Sequence, residues 1–345
     1  MSFLHRISSR PFRRIFPWLL RISLLALLVW YLVLLRLPAG QGVHVYALTV
    51  AKGAHFSEIA RELEQAGVIR SSLHLRLVGR LRGLDRRMQV GDYRISSSML
   101  PGEILSKLAN GQTDACKFTL PEGYSMYQAA ELLDKKGIFS REKFLEACTD
   151  RELLQGLQLQ AKTAEGYLFP STYQIGLKMD AKGLVTEMVR EFRSRMAHLH
   201  ALLDASGLSQ RQLVILASLV EREAMQAEEK PLIASVFLNR LRIGMPLQSD
   251  PTAIYGVKVF GGTVTKQDLQ RKSAYNTYQI RGLPPGPIGN PGLEALTAVL
   301  QPAKTNYLYF VARKDGTHQF SRTLDEHNQG VNRFLKKGGG KRKRG

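Results

Sequence analysis

The sequence predicts an α+β fold in at least two folded units, preceded by one apolar helix. A chain of 345 residues with 44% hydrophobic content has enough apolar material for two cores. A pattern of strand, turn and helix occurs twice in it, and one long uncharged run lies near the amino terminus. We expect a basic tail at 1–17, a transmembrane anchor at 18–37, a small module at 44–115, a larger α+β domain at 116–335 and a disordered basic tail at 336–345.

The charge of the chain is concentrated at its two ends. The formal net charge is +20, which alone is typical of a nucleic-acid-binding protein. Residues 1–40 contain six arginines and no acidic residue, and the tail from Lys336 contains six more lysines and arginines, which leaves +8 for the long middle. We therefore predict no nucleic-acid partner. The carboxyl-terminal tail is expected to be attracted to a membrane or to a polymer.

The first predicted element is the anchor. The run from Ile22 to Leu35 carries no charge, and extending it from Trp18 to Leu37 gives 20 positions, about 30 Å of helix. The arginines that precede it are Arg6, Arg10, Arg13 and Arg14. The positive-inside rule then places the amino terminus in the cytoplasm and everything after Arg36 across the membrane.

A cleaved signal peptide is the alternative to an anchor, because "LPAGQG" at 37–42 offers small residues after the apolar run. Both interpretations export the rest of the chain. The cysteines do not decide the compartment, since Cys116 and Cys148 fit a disulfide or two buried thiols equally well. Their spacing does not resemble a metal site, and the eight histidines do not cluster with them, so no metal is predicted.

The strand-turn-helix pattern is an internal repeat with an offset of 70 residues. "VAKGAHFSEIARELEQAGVI" at 50–69 aligns with "LPEGYSMYQAAELLDKKGIF" at 120–139. The alignment pairs Gly53 with Gly123 and Gly67 with Gly137. Each copy predicts a strand, a glycine turn, a helix of about three turns and a glycine stop.

The first copy extends into a module that continues through 90–111. There Tyr93 and Ile95 have the alternation of a strand, and Pro101 to Leu108 reads as a short helix. The whole module resembles a LysM-like domain, a fold that binds polymers of N-acetylglucosamine-type sugars. A glycan-binding role is what this resemblance implies.

The segment "LASLVEREA" at 216–224 places two glutamates at the end of an apolar helix. Helical periodicity puts Glu223 on the face of Leu216 and Leu219, whereas Glu221 shares the face of Ala217. A buried carboxyl group has a raised pKa, which is the property that a general acid needs near neutral pH. The alternative is a helix that simply emerges into solvent at this point.

Three polar segments follow this helix, at 244–256, 273–292 and 318–328. They are rich in tyrosine and asparagine, whose rings stack on sugars and whose amides bind hydroxyl groups. The third follows an apparent strand, "NYLYFVAR". We predict that these loops line a carbohydrate-binding cleft, although proline and glycine in them also shape turns.

These segments, together with "EGYLFPSTY" at 165–173, resemble the YceG-like endolytic murein transglycosylases, the MltG family. The resemblance implies an inner-membrane anchor, a LysM-like module and a periplasmic transglycosylase domain that cuts nascent peptidoglycan strands. The essential acid of the family is the second glutamate of an E-basic-E motif, which is Glu223 here. Ser171 departs from the family, which has an aspartate there, so no catalytic role is assigned to it.

The resemblance also implies a reaction. Glu223 protonates the glycosidic oxygen between N-acetylmuramic acid and N-acetylglucosamine, and the muramic C6 hydroxyl closes a 1,6-anhydro ring. This lyase chemistry requires no metal or organic cofactor, and Glu221 and Asp250 are candidates to support it. Glu221 is expected to support the helix end or to contact Arg240, and Asp250 has a plainer role in the following turn.

The predicted substrate-binding residues come from the same motifs. They are Glu165, Tyr167, Asn239, Arg240, Gln248, Ser249, Tyr255, Tyr275, Asn276, Tyr278 and His327. The expected partners are peptidoglycan strands, the inner membrane and peptidoglycan synthases. Two alternatives stay open at this point: a hydrolytic muramidase in which Asp250 places water, and a non-enzymatic peptidoglycan-binding protein.

Overall fold

The computed structural model describes residues 10–35, 37–39, 44–257 and 263–336. Helices and three two-stranded sheets build it, which confirms the α+β class. The described chain divides into two compact units. The first ends at Cys116 and includes 176–178, and the second contains the remainder from Lys117.

The amino-terminal unit is a small sheet covered by helices. Its elements are α1 Arg10–Leu35, β1 Val45–Val50, α2 Phe56–Gln65, α3 Ser72–Leu81, β2 Gly91–Ser96 and α4 Pro101–Ala109. The strands are antiparallel, with Leu48 opposite Tyr93, and both of these side chains are buried in the core of the unit. The predicted strand at Tyr93 and the predicted helix from Pro101 are confirmed.

Helix α1, Arg10–Leu35, includes most of the predicted span from Trp18 to Leu37. Over the part of the chain that the structure describes, none of the helices has the length and apolar character that crossing a bilayer requires. The structure therefore does not confirm the predicted span from Trp18 to Leu37. Arg6, Arg36 and the tail beyond Lys336 lie outside the described residues.

The internal repeat is confirmed. Helix α2 begins at Phe56 and its counterpart α5, Met126–Lys135, begins 70 positions later. Gly53 and Gly123 precede them with φ angles of 83° and 73°, a left-handed conformation that glycine adopts without steric cost. The glycine turns therefore have the same backbone role in both copies.

The carboxyl-terminal unit contains most of the helices. Its elements begin with β3 Cys116–Thr119, whose first residue belongs to the other unit. They continue, in chain order, with α5, α6 Arg141–Thr149, α7 Arg151–Gly156, β4 Thr172–Ile175, α8 Ala181–Ala197, α9 His200–Ser206, α10 Gln210–Glu223, α11 Lys230–Arg242, α12 Asp250–Ile254, α13 Lys266–Gln270, α14 Leu293–Leu300, β5 Tyr309–Ala312, β6 His318–Ser321 and α15 Leu324–Val331. A short 3₁₀ turn, Ala227–Glu229, precedes α11, and a π turn, Asn332–Lys336, follows α15.

Helix α10 lies at the centre of this unit and packs against α11 and α14. Ser209 caps its start by accepting a hydrogen bond from the Gln212 amide at 3.2 Å. Every residue from Leu213 to Val220 is buried, so the helix is apolar on all sides over that length. It ends at Glu223, which places the two glutamates where the buried helix meets the loops.

The prediction of a loop at 318–328 is wrong in part. It forms strand β6 and most of α15, and β6 pairs antiparallel with β5, the strand predicted from "NYLYFVAR". Thr323 and Glu326 form a capping box at the start of α15. That spacing of threonine and glutamate is a sequence signal for a helix start, which the polar composition of the segment concealed.

Candidate active site

The carboxyl group of Glu223 lies at the end of α10, partly buried. It accepts a hydrogen bond from the Ser249 hydroxyl at 2.5 Å and another from the Asp250 backbone amide. Burial raises the pKa of Glu223 to about 7, and the charge of Asp250 adds to the rise, while the bond from Ser249 and the charge of Arg222 oppose it. This carboxyl is therefore hydrogen-bonded and partly buried, not a solvent-facing helix end.

A cleft of about 430 Å³ opens beside this carboxyl. It is lined by Glu223, Arg240, Leu247, Gln248, Asp250, Tyr278, Tyr309, Phe310, Val311, Ala312, His318, Leu324, His327 and Val331. The predicted site residues Arg240, Gln248, Asp250, Tyr278 and His327 thus meet Glu223 in one cleft. A cleft with aromatic and polar walls is suited to a sugar chain.

Buried threonines hold Ser249 in place. Its backbone amide donates to the Thr277 hydroxyl at 2.9 Å, and the Thr252 hydroxyl donates to its carbonyl at 2.6 Å. The residue before it, Gln248, has φ of 50°, a conformation uncommon for any residue but glycine. Such a conformation persists where the surrounding contacts enforce it, as they do here.

Asp250 opens α12 and faces the cleft. Its Oδ1 accepts a hydrogen bond from the Tyr278 hydroxyl at 2.6 Å, and burial, followed by this contact, raises the pKa of Tyr278. The predicted plainer role for Asp250, a hydrogen bond to the following turn, is not the one its Oδ1 makes. The carboxylate instead joins two walls of the cleft.

Arg240 is buried and shapes another wall. It donates to the backbone carbonyls of Leu247 at 2.8 Å and Leu308 at 2.6 Å, and its guanidinium lies 5.3 Å from the ring centre of Tyr309. The Tyr309 ring stacks on His327 at 5.3 Å. Burial, and then the charge of Arg240, lower the pKa of His327, which favours a neutral imidazole at the cleft.

Glu221 has a different environment, although it lies only two residues before Glu223 on the same helix. Only 7% of its side chain is exposed, and it forms an ion pair with the buried Lys230 at 3.0 Å. Its other oxygen accepts the Gly292 amide at 3.0 Å. Of the two predicted roles, support of the helix end fits these contacts, whereas contact to Arg240 does not. Glu221 ties the end of α10 to the starts of α11 and α14.

Glu165 lies in a second buried cluster. It accepts hydrogen bonds from the Met126 amide at 3.0 Å, the Tyr255 hydroxyl at 2.9 Å and the Asn290 amide at 3.1 Å. Burial raises its pKa to about 7 against these bonds. Tyr275 packs on Tyr255, with 4.7 Å between ring centres. The structure thus brings three predicted substrate-binding residues together, but not among the residues that line the Glu223 cleft.

Three other predicted substrate-binding residues are core residues. Tyr167 packs edge-on against Phe192 at 5.2 Å. Asn239 and Asn276 are buried, and each side-chain amide donates to backbone carbonyls of a nearby loop. They shape the loops from behind, so direct contact with a substrate does not fit their positions.

Sequence reasoning missed four residues that build the site. Tyr309 lines the cleft from β5, Thr277 holds Ser249, Lys230 pairs with Glu221 and Asn290 bonds Glu165. Thr277 and Asn290 lie within the motif "SAYNTYQIRGLPPGPIGNPG". The polar composition of this motif was a signal that could have indicated them. Tyr309 lies in a predicted strand, where a cleft residue has no pattern of its own.

The cysteines and the potential metal ligands add nothing to the site. Cys116 is exposed, Cys148 is buried, and a disulfide does not join them. Within the described ranges, His, Cys, Asp and Glu residues do not gather in threes with a geometry that would hold a metal ion.

Comparison with known proteins shows the family of the chain. The model of the YceG-like family matches residues 48–333. The chain belongs to the YceG-like family. The match includes both copies of the repeat, helix α10 and all the lining residues of the cleft around Glu223.

Curated YceG-like relatives carry one name, endolytic murein transglycosylase. The Bacillus subtilis (strain 168) protein is 31% identical over 304 residues, which cover 84% of each chain. The Streptococcus pneumoniae serotype 2 (strain D39) protein is 29% identical over 314 residues, which cover 82% of this chain and 57% of that protein.

A solved YceG-like structure has a related fold. The crystal structure of the putative YceG-like protein lmo1499 from Listeria monocytogenes superposes with a TM-score of 0.59 and 32% identity. The superposition covers 84% of this chain and 99% of that chain.

Proposed function

We propose that this YceG-like protein is an endolytic murein transglycosylase. It cleaves the β-1,4 bond between N-acetylmuramic acid and N-acetylglucosamine within nascent peptidoglycan strands and so ends their elongation. The observation that carries the proposal is the Glu223 carboxyl, with a pKa of about 7 and a cleft beside it. The name shared by its curated relatives supports the same reaction.

The reaction needs one group that first gives and then takes a proton. Protonated Glu223 donates to the glycosidic oxygen as the bond to the anomeric carbon breaks and positive charge develops on that carbon. The Glu223 carboxylate then removes the proton of the muramic C6 hydroxyl. The C6 oxygen bonds to the anomeric carbon, which closes the 1,6-anhydro ring and returns the proton to Glu223. No water is consumed.

The surroundings of Glu223 suit both of its states. Burial and the Asp250 charge favour the protonated acid, whereas the Ser249 hydroxyl and the Asp250 amide donate to the carboxylate. A pKa of about 7 lets the group act as an acid and as a base at neutral pH. This balance is the property that a single-carboxyl mechanism requires.

A hydrolytic muramidase is the second candidate, because Asp250 provides a second carboxylate in the same cleft. The two reactions are separated by mass spectrometry of purified glycan strands after incubation with the enzyme. Transglycosylation leaves 1,6-anhydro ends, and hydrolysis leaves ends heavier by one water. Anhydro ends are expected. Products that all end in a hydrolysed, reducing N-acetylmuramic acid would show that the enzyme is a muramidase. Uncut strands would show that the protein binds peptidoglycan without cleaving it.

We also propose a location in the inner membrane, single-pass, with the amino terminus in the cytoplasm and the chain after Arg36 in the periplasm. Arginines concentrated before the apolar run support this orientation. Apolar side chains of α1 such as Trp18 and Leu25 are 65% and 61% exposed, as lipid-facing side chains would be. A reporter that works only in the periplasm should be active when fused after Gly345. Activity of a cytoplasmic reporter at that position would overturn the orientation.

The module at 44–115 is proposed to be LysM-like and to bind glycan. Its support is the resemblance of its sequence and a core of its own. Deletion of residues 44–111 should weaken binding to insoluble peptidoglycan, and unchanged binding would reduce the module to a packing element. Peptidoglycan synthases are the proposed protein partners, because the reaction acts on growing strands.

A further inference from the structure

Helix α3 exposes a row of leucines to solvent. Leu73, Leu77 and Leu81 are 71%, 48% and 67% exposed. They are spaced four residues apart and so share one face of the helix. Leu75 and Val78 point the other way and are buried in the core of the amino-terminal unit. We call these three exposed residues the leucine row. They form a second apolar face on α3, whose other face already packs against the core of the unit.

Exposed arginines lie beside the leucine row on α3 and just after the helix. The exposed ones on α3 and just after it are Arg76, Arg80, Arg82, Arg86 and Arg87. Asp85 is the single acidic residue between positions 70 and 87 of the sequence. An apolar stripe with cationic flanks is the pattern of a helix that lies in the interface of an anionic bilayer.

The leucine row lies next to the end of α1. Ala39 is buried in the unit, where its carbonyl accepts the Arg70 amide at 2.7 Å immediately before α3. It lies only four positions after Leu35, the last residue of α1, a reach of about 14 Å at most. The ring of Tyr31 on α1 also meets His74 on α3 edge-on at 6.0 Å. The start of α3 is therefore held close to the end of α1.

An apolar groove continues from the leucine row toward α1. It encloses about 360 Å³, and its lining includes Tyr31, Leu37, Leu73, Leu77 and Pro101. Aliphatic walls of this kind accept an acyl chain but offer little to a sugar, which binds through ring stacking and hydroxyl hydrogen bonds.

We propose that the leucine row and its arginines lie on an anionic lipid bilayer, with the leucines among the acyl chains and the guanidinium groups at the phosphates. A second copy of the chain is a poorer occupant, because it would bring like arginines together. The inference rests on the proposed membrane anchor, since α1 brings α3 to the bilayer. It gives the amino-terminal unit a second attachment and a fixed orientation at the membrane surface.

The test uses the full-length protein reconstituted in vesicles of phosphatidylcholine and phosphatidylglycerol. In a Cys116→Ser background, Leu77→Cys carries an environment-sensitive fluorophore, since the remaining Cys148 is buried. Thr49→Cys is the matched control, because Thr49 is exposed on β1 between Leu48 and Val50, which face the core. Leu25→Cys reports on α1 itself.

Lipids with a nitroxide near the headgroup should quench the label at 77 at least about threefold more than the label at 49. Replacing phosphatidylglycerol with phosphatidylcholine, or raising the salt, should reduce this difference. Adding Leu73→Gln and Leu81→Gln should bring the quenching at 77 close to that at 49. These substitutions are at exposed positions and should not alter the fold.

The outcomes separate the inference from the proposed anchor. Strong quenching at 25 by deeply placed nitroxides, with equal quenching at 77 and 49, would overturn the inference and leave the anchor in place. Vesicles that float without the protein would overturn both. Protection of the label at 77 by soluble glycan fragments, with no response to lipid quenchers, would assign the leucine row to sugar binding and refute the bilayer.

Discussion

Glu221 and Glu223 lie on the same last turn of α10, yet their carboxyl groups serve different parts of the protein. Glu221 pairs with the buried Lys230 at 3.0 Å, whereas Glu223 meets the Ser249 hydroxyl at 2.5 Å beside the cleft. A helix turns by about 100° per residue, so two residues apart means nearly opposite directions. Glu221 joins three helices, whereas Glu223 lies where its carboxyl group can contact a substrate in the cleft.

The first prediction concerns Glu221→Gln. The change removes the buried carboxylate from Lys230 and leaves its ammonium with the more exposed carboxylates of Glu294 at 3.2 Å and Glu122 at 3.7 Å, so the free energy of unfolding should fall by about 1–2 kcal/mol. Chemical denaturation measures the fall. The matched control is Glu187→Gln, which breaks an exposed ion pair with Arg190 and should change stability by less than about 0.5 kcal/mol. Equal effects of the two variants would refute the structural role of Glu221.

The second prediction concerns Ser249→Ala. The Ser249 hydroxyl stabilises the Glu223 carboxylate, so its removal should raise the pKa of Glu223 above about 7. Because the reaction needs the protonated acid, the fall of kcat/KM on the alkaline side should move to higher pH. A pH profile of strand cleavage checks this. Ser209→Ala, which removes a helix cap away from the cleft, should leave the profile in place.

The third prediction concerns Asp250→Asn, which should shift the alkaline fall of kcat/KM in the direction opposite to Ser249→Ala. Its negative charge raises the pKa of Glu223, and asparagine removes that charge while its backbone amide still donates to the carboxylate. The alkaline fall of kcat/KM should therefore shift to lower pH. A loss of turnover by about 10²-fold or more at every pH, with no shift, would instead make Asp250 a second catalytic carboxylate.

The fourth prediction concerns stability as a function of pH. The pKa of Glu223 is about 7 in the folded protein and near 4.5 when the chain is unfolded, so the folded state binds the extra proton between these values. Stability of the unmodified protein should therefore fall as pH rises from 4.5 to 7, relative to Glu223→Gln, which cannot ionise. The variant should gain about 3 kcal/mol on the alkaline side, since each pKa unit corresponds to about 1.4 kcal/mol. Denaturation at both ends of this window measures it, and a constant difference would contradict the raised pKa.

Local signals in the sequence predicted much of this fold. The repeat placed glycines at positions where the backbone is left-handed, a conformation that Gly53 and Gly123 adopt without the steric cost that a Cβ atom brings. Periodicity along α10 placed Glu223 and Glu221 on different faces, since a helix has a fixed angle per residue. Both inferences needed only contacts between residues close in the chain.

The remainder depended on contacts between distant segments. The Glu221 pair with Lys230 and its bond to Gly292 join three helices, and no local pattern encodes their packing. Asn239 and Asn276 were predicted to face substrate because asparagine is typical of binding loops. The structure buries both against backbone carbonyls, a role of asparagine that composition alone does not distinguish from ligand binding.

The central claim is that Glu223 is the acid that cuts the strand. Cleavage of purified glycan strands should be measured for Glu223→Gln and Glu221→Gln, with folding of each verified by circular dichroism. Glu223→Gln keeps the size of the side chain but removes the proton, so turnover should fall by about 10²–10⁴-fold while the product of any residual reaction keeps its anhydro end. Glu221→Gln should retain most activity per folded molecule. Full activity of Glu223→Gln would contradict the account, because the enclosed carboxyl would then have no part in the reaction.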